Sequence, residues 1–223
     1  MRPAGFWQRG VAWTLDAAVL GPASLALAWP RLRAAGATWE DALGRLGERV
    51  GEVALAGTPP QELPALLMRD PVLAEAVAAL HGATGSALVP VVAAFAALGA
   101  LWNVLGERSR WQGSPGKRLL GLRVTDRAGH PPRIVRSLSR HLAGAASWLT
   151  LNLGHALAAL PPEHLALHDR IAGTRVLAGA SATLPRWALP WLLAVAAAAI
   201  AATAWLAVAA SRAMQAGVDR AFY

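Results

Sequence analysis

Ala83-Thr84-Gly85-Ser86-Ala87-Leu88-Val89-Pro90-Val91-Val92-Ala93-Ala94-Phe95-Ala96-Ala97-Leu98-Gly99-Ala100-Leu101-Trp102-Asn103-Val104-Leu105 carries no ionisable side chain. A helix needs about 20 mainly apolar residues to cross bilayer hydrocarbon. Lipid offers backbone amides no hydrogen bonds, so a single segment must bond within itself as a helix. The stretch therefore reads as a transmembrane helix. On either side lie Val11 to Trp29, broken only by Asp16, and Trp187 to Ala210, uncharged and rich in alanine. Leu142 to Leu160 is shorter and broken by Asn152, Gly154 and His155. Trp7, Trp29, Trp102, Trp187 and Trp191 stand near the ends of these stretches, where indole rings favour the headgroup level.

Composition agrees. Hydrophobic residues make up 55% of the 223 and charged residues 15%, against about 25% charged in soluble domains. Without cysteine, disulfides and thiolate metal sites are excluded. The expected class is all-α: a polytopic helical membrane bundle with three to four apolar helices. Leu142 to Leu160 either crosses once or turns back as a re-entrant hairpin. Residues 1–223 are expected to form one membrane domain. It would carry an extracytoplasmic helical insert at 30–82 and an extra C-terminal membrane helix and tail at 187–223. Within the insert, Leu43, Leu46, Val50 and Val53 recur at helical spacing among charged residues, which predicts an amphipathic helix ended by Thr58-Pro59-Pro60. A second helical run is expected over Pro71 to Leu80.

The net charge of +8 could suggest nucleic-acid binding, but its distribution argues for topology. Between Leu105 and Leu142 nine basic residues face only Glu107 and Asp126, whereas residues 30–82 hold five arginines and seven acids. The positive-inside rule puts the basic loop, 106–141, in the cytoplasm and the acidic one outside. The chain is expected in the cell (inner) membrane, multi-pass, and no nucleic-acid partner is expected. Arg2 and Arg9 followed by Val11 to Leu27 and Ala26-Leu27-Ala28 have some features of a signal peptide. Asp16 within the apolar run and Trp29-Pro30 after the site argue against cleavage.

Chemistry should lie in polar groups at membrane depth, where a carboxylate costs about 2.5–3.5 kcal/mol on insertion scales. Asp16 follows Arg9 by two helical turns, on one face but about 10 Å along the axis, too far to pair directly on a straight helix. Gly113-Ser114-Pro115-Gly116-Lys117-Arg118-Leu119-Leu120-Gly121-Leu122-Arg123-Val124 begins as a turn-rich loop and continues as a short apolar strand or helix. It is not a P-loop, since Trp111 and Arg118 occupy positions that motif reserves for Gly and Ser/Thr. Val124 to His130 reads as a turn. Arg133 to His141 reads as a basic interfacial helix suited to lipid headgroups. In Leu167-His168-Asp169-Arg170-Ile171-Ala172-Gly173-Thr174-Arg175-Val176, His168 lies four after His164, which on a helix would share one face. No zinc-protease spacing accompanies the pair, and no metal is expected.

Taken together, Phe6-Trp7-Gln8-Arg9-Gly10-Val11-Ala12-Trp13-Thr14-Leu15-Asp16, Pro115 to Val124 and His168 to Thr174 resemble the RDD family of bacterial membrane proteins, named for one arginine and two aspartates. The resemblance implies that Arg9, Asp16 and Asp169 are the name-giving residues. Gly116, Lys117, Arg118, Gly121, His168, Gly173 and Thr174 are supporting motif positions. The long outer loop and the fourth apolar stretch depart from the compact family pattern. The resemblance implies a fold more than an activity, although transport, including cation or proton exchange, has been suggested for such proteins. Two readings follow. A transporter or transporter component would bind a cation, proton or small solute at a buried Arg9–Asp16–Asp169 cluster. A scaffold or accessory subunit would use that cluster to hold helices and the basic loop to meet a partner or anionic lipid. No enzyme activity is expected, because no nucleophile–base pair or metal set stands out, and no cofactor is expected. The expected partners are the bilayer and a second copy or another membrane protein. A re-entrant hairpin would bring Asp169 back to Arg9.

Overall fold

The computed structural model describes residues 1–59, 61–179 and 183–223. In chain order its elements are β1 (Arg2–Pro3), α1 (Phe6–Leu55), α2 (Leu63–Leu67), α3 (Pro71–Arg108), α4 (Pro115–Leu119), β2 (Leu122–Asp126), α5 (Ile134–Ala146), α6 (Leu153–Ala156), α7 (Leu167–Ala172), β3 (Thr174–Ala178) and α8 (Ala188–Phe222). Among the described residues three helices, α1, α3 and α8, are long and apolar enough to cross a membrane. Only 6% of the apolar stretch in α3 is buried, and none of that in α8. Side chains that a soluble protein would hide face outward, which suits lipid. The chain divides into two compact units, one comprising Met1–Ser24 and Ala93–Val195, the other Leu25–Val92 and Ala196–Tyr223.

The first unit is built on a small sheet absent from the all-α expectation, in the order β1-β3-β2 and antiparallel throughout. Leu122 pairs with Ala178 and Asp126 with Thr174. Alternate residues Leu122, Val124, Val176 and Ala178 point to one face and pack on Val11 and Ala12 of α1, Leu120 and Ala188. Gly121 and Gly173 precede the two longer strands with φ of +64° and +62°, a conformation that a Cβ disfavours. The expected turn over Val124 to His130 is therefore corrected. Val124 to Asp126 are strand, and the turn begins at Arg127. Their partner lies some fifty residues on, so no local pattern could have supplied it.

Leu142 to Leu160 does not cross as one helix. α5 ends at Ala146, a 3-10 turn follows, and Leu151 and Asn152 adopt left-handed φ of 51° and 64°. The chain then folds back, with Gly154 against the Ser147 side chain and the His155 ring beside Gly144. Leu149 and Leu151 at the tip are 89% and 90% exposed. α5 is turned inside out relative to a soluble helix. Ser137, Arg140 and Gly144 are buried at helical spacing, while Ile134, Val135, Leu138 and Leu142 are exposed. Its polar stripe faces protein and its apolar stripe faces outward.

In the second unit the expected amphipathic helix is not separate. It is the continuation of α1, which at 50 residues is more than twice the length of one crossing. Gly57 follows with φ +70°, then Thr58 and Pro59, while Pro60 lies outside the described residues. Pro71 to Leu80 is likewise the start of α3, where Asp70 Oδ1 accepts from the backbone of Val72 (2.9 Å) and Leu73 (3.3 Å) as a cap. Arg49 Nε binds Asp70 Oδ2 at 2.7 Å and ties α1 to that cap. Closest packing comes from small residues rather than from Leu43 or Leu46. A Cβ on Gly47 would strike the Met214 carbonyl, and one on Gly217 the Gly44 carbonyl. Here α1 and α8 touch backbone to backbone, the contact that glycine alone permits.

Gly47→Leu should therefore cost about 1–3 kcal/mol through overpacking. Thermal unfolding in detergent should shift down, whereas Gly36→Leu, which has open space around it, should leave the midpoint near wild type. Equal shifts in both would contradict the contact.

Candidate functional site

The first turns of α1, the end of α3, α4, α5 and α7 each deliver charged groups to the interior of the first unit. Arg9 on α1 uses its whole guanidinium. Nε donates to the Ala4 carbonyl (3.0 Å), Nη2 to the His164 carbonyl (2.6 Å), and Nη1 to Asp169 Oδ2. Asp169, with no solvent exposure, also accepts from Arg140 Nε through Oδ1 (2.9 Å) and from the Ala166 amide (3.2 Å) at the start of α7. Arg140 on α5 continues the chain. Its Nη1 pairs with Glu107 Oε1, which also takes Lys117 Nζ at 3.1 Å. Lys117 Nζ donates in turn to Asn103 Oδ1 at 2.9 Å. One network thus runs Arg9–Asp169–Arg140–Glu107–Lys117–Asn103, with cations and carboxylates alternating.

Asp16 is held elsewhere. Its Oδ2 accepts from the Ser114 hydroxyl, and its Oδ1 from the Gly116 amide (2.8 Å) and the Trp102 indole (2.9 Å). The expected three-residue cluster is corrected on this point. Arg9 and Asp169 pair directly, whereas Asp16 takes its hydrogen bonds from α3 and the Ser114–Gly116 turn. The two-turn separation of Arg9 and Asp16 on one helix is the reason. Gly116 can sit there because it lacks a side chain: a Cβ would strike the Ala12 carbonyl and crowd Asp16. Trp102, placed at the headgroup belt from its position in sequence, instead turns its N–H to this carboxylate.

The remaining motif positions play several parts. Arg118 lays its guanidinium over the Trp111 ring at 3.8 Å. Gly121 and Gly173 make the strand-entry turns, and Thr174 pairs with Asp126. His168 does not share a helix face with His164, which precedes α7 and has φ of 50°. Its ring instead packs on His155, centroids 5.1 Å apart. Among the described residues no group of three or more His, Asp or Glu is placed to hold a metal ion. Sequence reasoning missed Glu107, Arg140, Ser114, Trp102 and Asn103. A usable signal existed for two of them. Glu107 is an isolated acid in a basic stretch, and Arg140 lies on the Ser137–Gly144 stripe of α5.

Burial alone would raise the Asp169 carboxyl. The adjacent Arg140, then His168 when protonated, then Arg9 reverse this and hold it well below the usual carboxylate range. Burial, and next the charge on Arg140, push His168 well below an ordinary imidazole. Arg140 Nη2 lies 3.3 Å from its Nε2. A guanidinium only donates, so Nε2 is the acceptor of a neutral ring.

A family model for the RDD family matches residues 3–173. No curated protein and no solved structure matches the chain.

The His168 shift has a pH consequence. Below about pH 6.5 the unfolded chain protonates this imidazole and the folded chain does not. Stability is thus full above that pH and falls as pH drops, by up to about 1.4 kcal/mol per pH unit for one proton. Thermal unfolding between pH 7.5 and 5 should show this decline in wild type (pH values chosen to span the unperturbed value of about 6.5). In His168→Gln the decline should be shallower. An unchanged slope would show that His168 is not the group responsible.

Proposed function

The chain belongs to the RDD family, and on that premise we propose that it is an inner-membrane accessory or scaffold protein whose buried charges lock its helices together. It is an integral membrane protein, with three helices among the described residues apolar enough to cross. One observation carries the accessory reading. The Asp16 carboxylate, 7% exposed, is filled by three donors from two other segments of the first unit. A carboxylate that binds and releases a cation or proton must exchange partners, and two of these three donors are Ser114 and the Gly116 amide of a tightly packed turn. Charge balance supports the same reading, with Arg9, Lys117 and Arg140 matching Asp16, Glu107 and Asp169. Arg9 and Asp169 join α1 to α7, Arg140 and Glu107 join α5 to α3, and the basic loop is left to meet anionic lipid or a partner.

Transport of a proton or cation is the second reading, favoured by Glu107. Its Oε2 is buried and completes no hydrogen bond among the described residues. A carboxylate oxygen with a free lone pair inside a charged network could take a proton. No enzyme activity is proposed.

Purified protein in liposomes distinguishes the two. Under proton, sodium and potassium gradients the accessory reading expects flux no greater than in protein-free vesicles. It also expects Asp16→Ala to lower the unfolding midpoint. Flux above background that disappears in Glu107→Gln would overturn it in favour of transport.

We place residues 106–141 in the cytoplasm, because arginine excess governs insertion. With three crossings, 30–82 and the end of α8 then lie outside. The chain has no cysteine, so single cysteines report cleanly. In intact cells an impermeant thiol reagent should label Glu62→Cys and spare Arg127→Cys. The opposite pattern would invert the topology.

A further inference from the structure

Beside the network, the first unit contains a cavity of about 470 Å³ walled by Arg127, Arg170, Arg175, Glu163, Thr174 and Asp169. The sheet assembles it. Asp126 pairs with Thr174, so Arg127 begins the turn next to that pair, Arg175 follows Thr174, and Arg170 sits in the last turn of α7. Their setting differs from that of the buried cations. Arg9 and Arg140 are fully engaged, whereas the guanidiniums of Arg127, Arg170 and Arg175 form no ion pair or hydrogen bond among the described residues. Asp169 contributes little net charge to the wall, because Arg9 and Arg140 already neutralise it. Three unpaired guanidiniums therefore face one free carboxylate, Glu163.

An oxyanion entering the cavity would accept from the planar guanidiniums, which match phosphate oxygens two at a time.

We infer that this cavity binds a phosphate group, carried by an anionic phospholipid headgroup or as free phosphate. Leu167 and Ile171, on the same short helix as Arg170, are 39% and 61% exposed and offer an apolar surface to a lipid's acyl chains. Basic pockets at the cytoplasmic level of membrane proteins recognise headgroups by this combination. The inference deepens the accessory role proposed above and rests on it for its meaning in the cell.

The test uses the full chain in neutral detergent at physiological salt, titrated with dioctanoyl-phosphatidylglycerol, dioctanoyl-phosphatidylcholine and inorganic phosphate. Phosphatidylglycerol should bind more tightly than phosphatidylcholine. The double variant Arg170→Gln, Arg175→Gln should weaken it at least about tenfold, as expected for loss of charged hydrogen bonds. Binding of inorganic phosphate with the same variant losses would make free phosphate the source, and binding of the lipid alone would make it the headgroup. Wild-type affinity for both probes in the arginine variant would overturn the site. So would an equal loss in Arg31→Gln, Arg33→Gln, which would show general charge attraction. Ion flux in the liposome assay would remove the accessory role and leave this binding result standing.

Discussion

Asp169 sits without solvent contact between two guanidiniums, Arg9 from the start of α1 and Arg140 from α5, and the first unit is arranged to make that position tolerable. An isolated buried carboxylate is unstable by several kcal/mol, and removing one partner from a buried pair typically costs about 3–5 kcal/mol. Each further group in the network answers the same demand. Arg140 reaches Glu107 as well as Asp169, and Lys117 meets Glu107 and Asn103. The requirement for matched charge binds α1, α3, α4, α5 and α7 more specifically than apolar contact could, because lipid is as apolar as the side chains it would replace.

The same solvent explains why α5 is inverted. In water the exposed Ile134, Val135, Leu138 and Leu142 would be a liability, and Ser137 with Arg140 would face outward. Against lipid the preference reverses, and the polar stripe becomes the one that needs protein. The reversal at Leu151 and Asn152 follows from it. Returning to the level of α5 brings His155 and then His168 alongside Arg140, and sets Asp169 where Arg9 can reach it. Chain direction at that turn and charge balance in the core are one constraint.

Asp16 solves a different problem with the same chemistry. Its carboxylate gathers an amide, a hydroxyl and an indole N–H, so the Ser114–Gly116 turn is pinned to α1 without a cation in contact. Glycine permits both that approach and the α1–α8 contact at Gly47 and Gly217. Close approach of backbones supplies dispersion contacts that larger side chains would prevent.

Much was legible in the residues. Uncharged runs, arginine placement and the pattern at Arg9, Asp16, Pro115 to Val124 and His168 to Thr174 are local in sequence, and each follows from the cost of placing charge in hydrocarbon. They determined the membrane class and the family, and they singled out Arg9 and Asp169, which the fold brings into contact. Tertiary structure alone decided three things. It paired β2 with β3 across some fifty residues, where sequence had read a turn. It separated Asp16 from the Arg9 pair, because one helix cannot bring residues two turns apart together. It drew Glu107 and Arg140 inward from a loop whose arginines looked uniformly like topology signals. Periodicity tells which face of a helix is polar, but whether that face meets water, headgroups or a buried carboxylate depends on which other segments arrive there.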